Sequence, residues 1–133
     1  MPAAVLDSYA LLAFLRGEPG ADRVADLLEA AAAHDTPLHM TEVNYAEVKY
    51  VVMRKDSAEQ WAAIARELPA VPIVFHPADR RLADSAGDFK ARFKLSLADA
   101  FAAALAKEKK AELVTGDPEF KPLAKEIKIH WLG

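Results

Sequence analysis

A chain of 133 residues, 53% hydrophobic and 28% charged with a net charge of −3, has the length and apolar content of one packed domain and excludes disorder as its dominant state. The absence of cysteine excludes a disulfide framework and any thiolate metal site. No apolar run approaches the roughly 20 residues that span a bilayer and no signal-peptide pattern opens the chain, so a cytoplasmic location is expected.

Ala3–Leu6 is a short apolar run followed by Asp7-Ser8, which reads as a strand entering a helix N-cap. Leu11, Leu12, Phe14 and Leu15 continue it as a helical stripe that stops at Gly17-Glu18-Pro19-Gly20. Asp22 to Ala33 predicts a second helix, and Pro37 to Met40 a strand. Thr41 is placed to cap a helix from Glu42 to about Arg54, and Asp56-Ser57 opens another with Trp61, Ile64 and Leu68 on its apolar side. Val71 to Phe75 predicts a strand whose proline suits a first or edge position. Asp79 to about Phe93 is helical with a possible break at Gly87, and Ser96 starts an alanine-rich helix ending near Lys107 to Lys110. Leu113-Val114 is a strand, Pro118 to Ala124 a short helix, and Ile127 to Trp131 a last strand. Strands alternating with helices predict an α/β fold with a central, mainly parallel sheet, the whole of residues 1–133 forming one domain.

Four acids, Asp7, Glu47, Asp99 and Asp117, sit at the edges of apolar runs or inside helices that otherwise read as buried. A carboxylate beside a core costs free energy unless its charge is compensated, so four of them converging would require a cation. In an open parallel sheet, ligands bind beyond the carboxyl ends of the strands, where Asp7 and Asp117 both lie. Each has a structural alternative. Asp7 can cap the helix starting at Ser8, Asp117-Pro118 fits a helix start, and Asp99 forms a Ser-x-x-Asp capping-box variant with Ser96. Against pure capping, Asp99 shares a small-residue face with Ala102, Ala103 and Ala106. Glu47 lies more than a turn inside its helix, flanked at four-residue spacing by Val43 and Val51, so capping cannot account for it; an edge position or an ion pair is its structural alternative.

The remaining polar residues carry weaker signals. His34, His39, His76 and His130 show no zinc spacing. Trp61 and Trp131 suit core or interface, and Lys107, Lys109 and Lys110 suit a solvated helix end. Arg80, Arg81, Lys90, Arg92 and Lys94 precede Asp99 and form a candidate phosphate-facing group, while the acidic cluster itself would mask such a basic surface in the net charge. Tyr50 and Trp61 offer aromatic anchors for a partner helix along the helices between Asp22 and Leu68, although the same face also serves to cover the sheet. Hard oxygen donors without histidine or cysteine favour magnesium or manganese.

Val5-Leu6-Asp7-Ser8-Tyr9-Ala10-Leu11-Leu12, Asn44-Tyr45-Ala46-Glu47-Val48, Leu95-Ser96-Leu97-Ala98-Asp99-Ala100 and Val114-Thr115-Gly116-Asp117-Pro118-Glu119-Phe120 occur in the order of four acid motifs of a known family. In these segments the chain resembles a PIN domain, specifically the VapC-type toxins of prokaryotic toxin–antitoxin pairs. Ser8-Tyr9 departs from the Thr-Ser that many relatives carry after the first acid. The resemblance implies a three-layer α/β/α domain whose acids Asp7, Glu47, Asp99 and Asp117 bind magnesium or manganese. Ser8 and Thr115 would stand behind them as hydrogen-bonding supports. It further implies an endoribonuclease that hydrolyses RNA phosphodiesters by magnesium-activated water, a cognate antitoxin protein and a homodimer. The alternative is a PIN-like scaffold that retains the acids as caps without catalysis. A receiver domain is disfavoured, because Asp7 is followed by Ser8 rather than by a second acid.

Overall fold

Alternation within the first strand decides the layering. In β1 (Ala4–Leu6), Ala4 and Leu6 pack toward one face of the sheet and Val5 toward the other. All three are buried, as strands covered on both sides require. The computed structural model of the protein describes residues 3–133. β1 is followed by α1 (Ser8–Arg16), α2 (Ala21–Ala33), β2 (Leu38–Thr41), α3 (Glu42–Lys55), α4 (Ala58–Glu67), β3 (Ile73–His76), α5 (Arg80–Arg92), α6 (Leu97–Lys109), β4 (Glu112–Thr115) and β5 (Ile129–Trp131). The strands form one sheet in the order β3-β2-β1-β4-β5, parallel throughout. Helices α1 to α4 cover one face, and α5 and α6 cover the other.

This order creates a switch point. The chain winds outward from β1 through β2 to β3, then crosses back by α5 and α6 to place β4 on the opposite side of β1. A crevice therefore opens beyond the carboxyl ends of β1 and β4, where the connections leave in opposite directions. Helix starts around it are capped locally: Asp7, Thr41 and Ser96 each accept the backbone N–H three residues on.

Several boundaries differ from the sequence expectation for identifiable reasons. Gly87 does not break α5, which runs through it. The segment Pro118–Leu123 is a 3₁₀ turn rather than an α-helix; Pro118 suits its first position, whereas Pro122 lacks the N–H that an α-helix would bond to the Pro118 carbonyl. β5 starts at Ile129, since the Ile127 N–H bonds back to the Leu123 carbonyl at 3.0 Å and its side chain joins the core. β3 starts at Ile73 because the Val71 N–H closes a turn on Leu68 at 3.0 Å, and β3 is the edge strand that Pro72 suggested.

The expectation for the alanine-rich helix is met most fully. From Asp99 to Ala106 every residue of α6 is buried, wedged between the sheet, α5 and α3. Alanine allows this because it lets neighbouring backbones approach closely, and a larger side chain has no space to enter. Ala103→Leu is expected to destabilise the fold by about 1–3 kcal/mol through overpacking, measured as a lower urea midpoint with an unchanged denaturant slope.

Candidate metal and nuclease site

The crevice collects carboxylates from four separate parts of the chain. Asp7, at the end of β1, is 1% exposed. Its Oδ1 accepts the Ala10 N–H at 2.8 Å, so the expected cap is real, and its Oδ2 accepts the Thr115 hydroxyl at 2.5 Å. A carboxylate has about four lone-pair positions, so capping leaves room for a further ligand. Thr115 also accepts the Asp117 N–H at 3.0 Å, tying the first and last acids to one hydroxyl. Asp117 Oδ1 in turn accepts the Glu119 N–H at 2.9 Å.

Asp99 is 9% exposed, and its capping function belongs to Ser96, whose hydroxyl accepts the Asp99 N–H at 3.1 Å. The carboxylate oxygens of Asp99, Asp117 and Glu119 lie within 4.8 Å of one another. Glu47 reaches the group from α3, close enough to disfavour ionisation of Asp99. Burial pushes Asp7 up to about 8, with Asp99 and Asp117 adding to the effect against the hydrogen bonds from Thr115 and Ala10. Asp99 rises to about 6, first by burial and then by Asp117, with Glu47 and Glu119 contributing. The charged groups that act on Asp7 and Asp99 here are all other carboxylates, the arrangement that a bound cation relieves.

The PIN-domain family model matches residues 4–126. The chain belongs to the PIN-domain family. Solved structures share this fold at low identity. VapBC2 from Rickettsia felis, bound to a promoter DNA fragment, superposes with a TM-score of 0.78 at 15% identity, covering 98% of this chain and 99% of that one. A toxin–antitoxin complex from Klebsiella pneumoniae gives 0.74 at 20%, covering 98% of each chain. VapC20 from Mycobacterium tuberculosis, described as a sarcin–ricin-loop-cleaving toxin, gives 0.73 at 15%, covering 96% and 99%. No curated protein matches the sequence significantly.

Within this PIN domain, Asp7, Asp99 and Asp117 meet in the crevice, and Glu47 faces them from a different position than its spacing suggested. The buried stripe of α3 is Asn44, Val48 and Val52, whereas Val43, Glu47 and Val51 form its half-buried flank. Thr115 touches the acids directly. Ser8 does not: its hydroxyl exchanges hydrogen bonds with Asn44, accepting from Nδ2 at 3.0 Å and donating to the backbone carbonyl at 3.4 Å. Two residues of the site went unassigned in the sequence, although both lie inside the family motifs. Glu119 joins through a two-residue step after Asp117. Asn44, wholly buried, ties Ser8, Thr41 and the Ala98 carbonyl together, and so joins the three segments that carry Asp7, Glu47 and Asp99.

The candidate basic group is largely spent on structure. Arg92 forms a two-pronged pair with Glu126 at 2.8 and 2.9 Å, Arg81 pairs with Glu108 at 3.0 Å, and the Lys90 Nζ donates to the Leu95 carbonyl at 2.8 Å. Arg80 and Lys94 are the two exposed members left with neither an ion pair nor a side-chain hydrogen bond among the described residues. His39 and His76 are no isolated pair of rings. Their Nδ1 and Nε2 atoms lie 2.9 Å apart across β2 and β3, and desolvation followed by nearby charge lowers both pKa values. Trp61 is a core residue set edge-on against Tyr45, while Tyr50 is exposed beside Arg54, so the two do not share a surface.

Asn44→Ala strands several buried polar partners and is expected to destabilise the fold by about 2 kcal/mol or more, measured by chemical denaturation. Asp7 gives a pH signature when divalent cations are chelated. Folding holds its proton up to about pH 8 against an ordinary value of 3.8, so the unfolded chain binds fewer protons between these values and stability falls as pH rises through that window. Thermal melts in EDTA should show this decline, and Asp7→Asn should flatten it.

Proposed function

We propose that the protein is a divalent-metal-dependent endoribonuclease, the toxin of a type II toxin–antitoxin pair. The observation that carries this reading is the convergence of Asp7, Glu47, Asp99, Asp117 and Glu119 on one crevice, where their principal charged neighbours are one another. An all-oxygen donor set fits magnesium or manganese rather than a softer metal. Asp7 and Asp99 would be the most direct ligands, with Asp117, Glu119 and Glu47 completing the set or acting through water. The ion would supply Lewis acidity toward a phosphodiester and a nucleophile from water at neutral pH. The protein's own part is to hold the acids at set separations. Thr115 does this by engaging the Asp7 Oδ2 and the Asp117 N–H at once, and Asn44 does it by joining α1, α3 and α6.

RNA is the substrate we assign, in keeping with a structural neighbour described as a toxin that cleaves the sarcin–ricin loop. The partner we assign is an antitoxin protein, because the neighbours include toxin–antitoxin complexes. The apolar groove between α3, α4 and β3, lined by Tyr45, Leu68 and Phe75 among others, suits an amphipathic partner segment. A homodimer is part of the same reading and is checked by sedimentation.

Capping by Asp7 and Asp117 favours a second reading, a scaffold that keeps its acids for structure. A manganese titration of the folded protein separates the two, since a scaffold gives no saturable binding. Under the nuclease reading, total RNA is cut at discrete sites only with magnesium or manganese. Asp7→Asn and Asp99→Asn should each lower cleavage by at least about 100-fold, beyond what loss of an outer partner costs a metal site, while leaving the fold intact. Cleavage by either variant at the wild-type rate sinks the mechanism.

A further inference from the structure

Tyr9 is an exposed aromatic residue beside the acid cluster, and its surroundings give it a use. It lies in the first turn of α1, two residues after Asp7, yet its side chain stays 43% exposed. Its ring packs against the backbone of Gly116, the residue between Thr115 and Asp117. A Cβ at Gly116 would collide with Cε1, Cζ and the hydroxyl oxygen of Tyr9, the last two at 2.6 and 2.9 Å. Gly116 does not have a positive φ, so what it provides here is space: without a side chain it lets the ring settle on the loop that carries Asp117. No other aromatic ring of the described residues stacks on Tyr9. An exposed ring held in place at the rim of an acidic crevice is an aromatic platform without an occupant.

The neighbouring surface suits a nucleotide. Tyr9 borders a groove of about 330 Å³ between α1 and α3, with Leu12 and Val51 as apolar walls and Arg16 and Lys55 as cations. Arg16 is already held by Asp56 at 3.0 Å and Glu18 at 2.6 Å, whereas Lys55 is exposed and makes no ion pair among the described residues. Val51 stands one helical turn beyond Glu47 on α3, and Tyr9 stands two residues beyond Asp7 on α1, so the groove and the acids are carried by the same two helices. We propose that Tyr9, seated on Gly116, is the stacking platform for an unpaired RNA base next to the cleaved phosphodiester, with Lys55 receiving an adjoining phosphate. Unpaired bases bind by stacking on aromatic side chains, and the contact tolerates sequence while favouring single strands. This inference rests on the ribonuclease reading and adds to it the element that positions the substrate.

The test uses the full-length protein and short single-stranded RNAs with 2-aminopurine placed at successive positions around a mapped cut site. Removing a stacking ring weakens binding by on the order of 5- to 150-fold. Tyr9→Ala should raise KM within that range with kcat nearly unchanged and abolish 2-aminopurine quenching at one position, whereas Tyr9→Phe should behave as wild type. Gly116→Ala should reproduce the KM effect by displacing the ring and should add nothing further in the Tyr9→Ala background. A Tyr9→Ala variant that keeps the wild-type melting temperature, KM and quenching overturns the platform, and full additivity with Gly116→Ala overturns its seat on the glycine. Unchanged KM with weakened binding of a co-purified antitoxin would overturn it in favour of a protein contact. Failure of the nuclease reading is seen separately, as cleavage that survives Asp99→Asn, whereas quenching by Tyr9 is measured without any cleavage.

Discussion

The parallel pairing of β1 with β4 brings together residues more than a hundred positions apart and sets the geometry of everything at the crevice. Leu6 lies beside Val114 in the ladder, so the next residues on each strand, Asp7 and Thr115, emerge together and share a hydrogen bond of 2.5 Å. Through the same hydroxyl the Asp117 backbone is held in place. Were the ladder shifted by one residue, Val5 and Leu6 would exchange faces and the acids would part. Two buried helical layers enforce the register from both sides, because Ala4, Leu6 and Val5 each have an apolar face to satisfy.

Bringing these carboxylates together works against folding. Burial raises Asp7 and Asp99 in pKa, and every neighbouring acid raises them further. The structure offsets part of the strain with donors: the Ala10 N–H and the Thr115 hydroxyl on Asp7, the Glu119 N–H on Asp117, and Ser96 beside Asp99. Asn44 contributes differently. It touches none of the acids, yet its buried amide links the ends of three elements that carry them. Networks of this kind rigidify a site when every member is satisfied, and no buried side-chain polar atom among the described residues lacks a partner. A fold that maintains such a cluster against its own electrostatics has the character of a functional site rather than of a stability device.

Much of this was legible in the residues, and the failures have physical causes. The caps at Asp7, Thr41 and Ser96 follow from local chemistry, so their positions were readable and are found. The choice between cap and ligand at Asp7 was posed as exclusive, whereas a carboxylate has enough lone pairs for capping and a further contact. Glu47 was read as facing the core because Val43 and Val51 share its stripe, but valines at a half-buried flank have the same spacing as valines in a core. Arg81 and Arg92 looked free because their partners, Glu108 and Glu126, are distant in sequence. Glu119 and Asn44 sit inside motifs that were recognised, yet nothing local marks a residue whose partners come from other elements.

By itself the sequence determined the alternation of strands and helices, the caps that start the helices, the burial of the alanine-rich helix and the ordered set of acids that marks the family. These depend on contacts within a few residues, where propensity, periodicity and hydrogen-bonding side chains act directly. Only the tertiary structure decided the strand order β3-β2-β1-β4-β5, the addition of Glu119 to the cluster, the Asn44 link and the seating of Tyr9 on Gly116. Each of those arises from pairing across long stretches of chain, where side-chain packing selects one arrangement among several that local patterning would permit equally well.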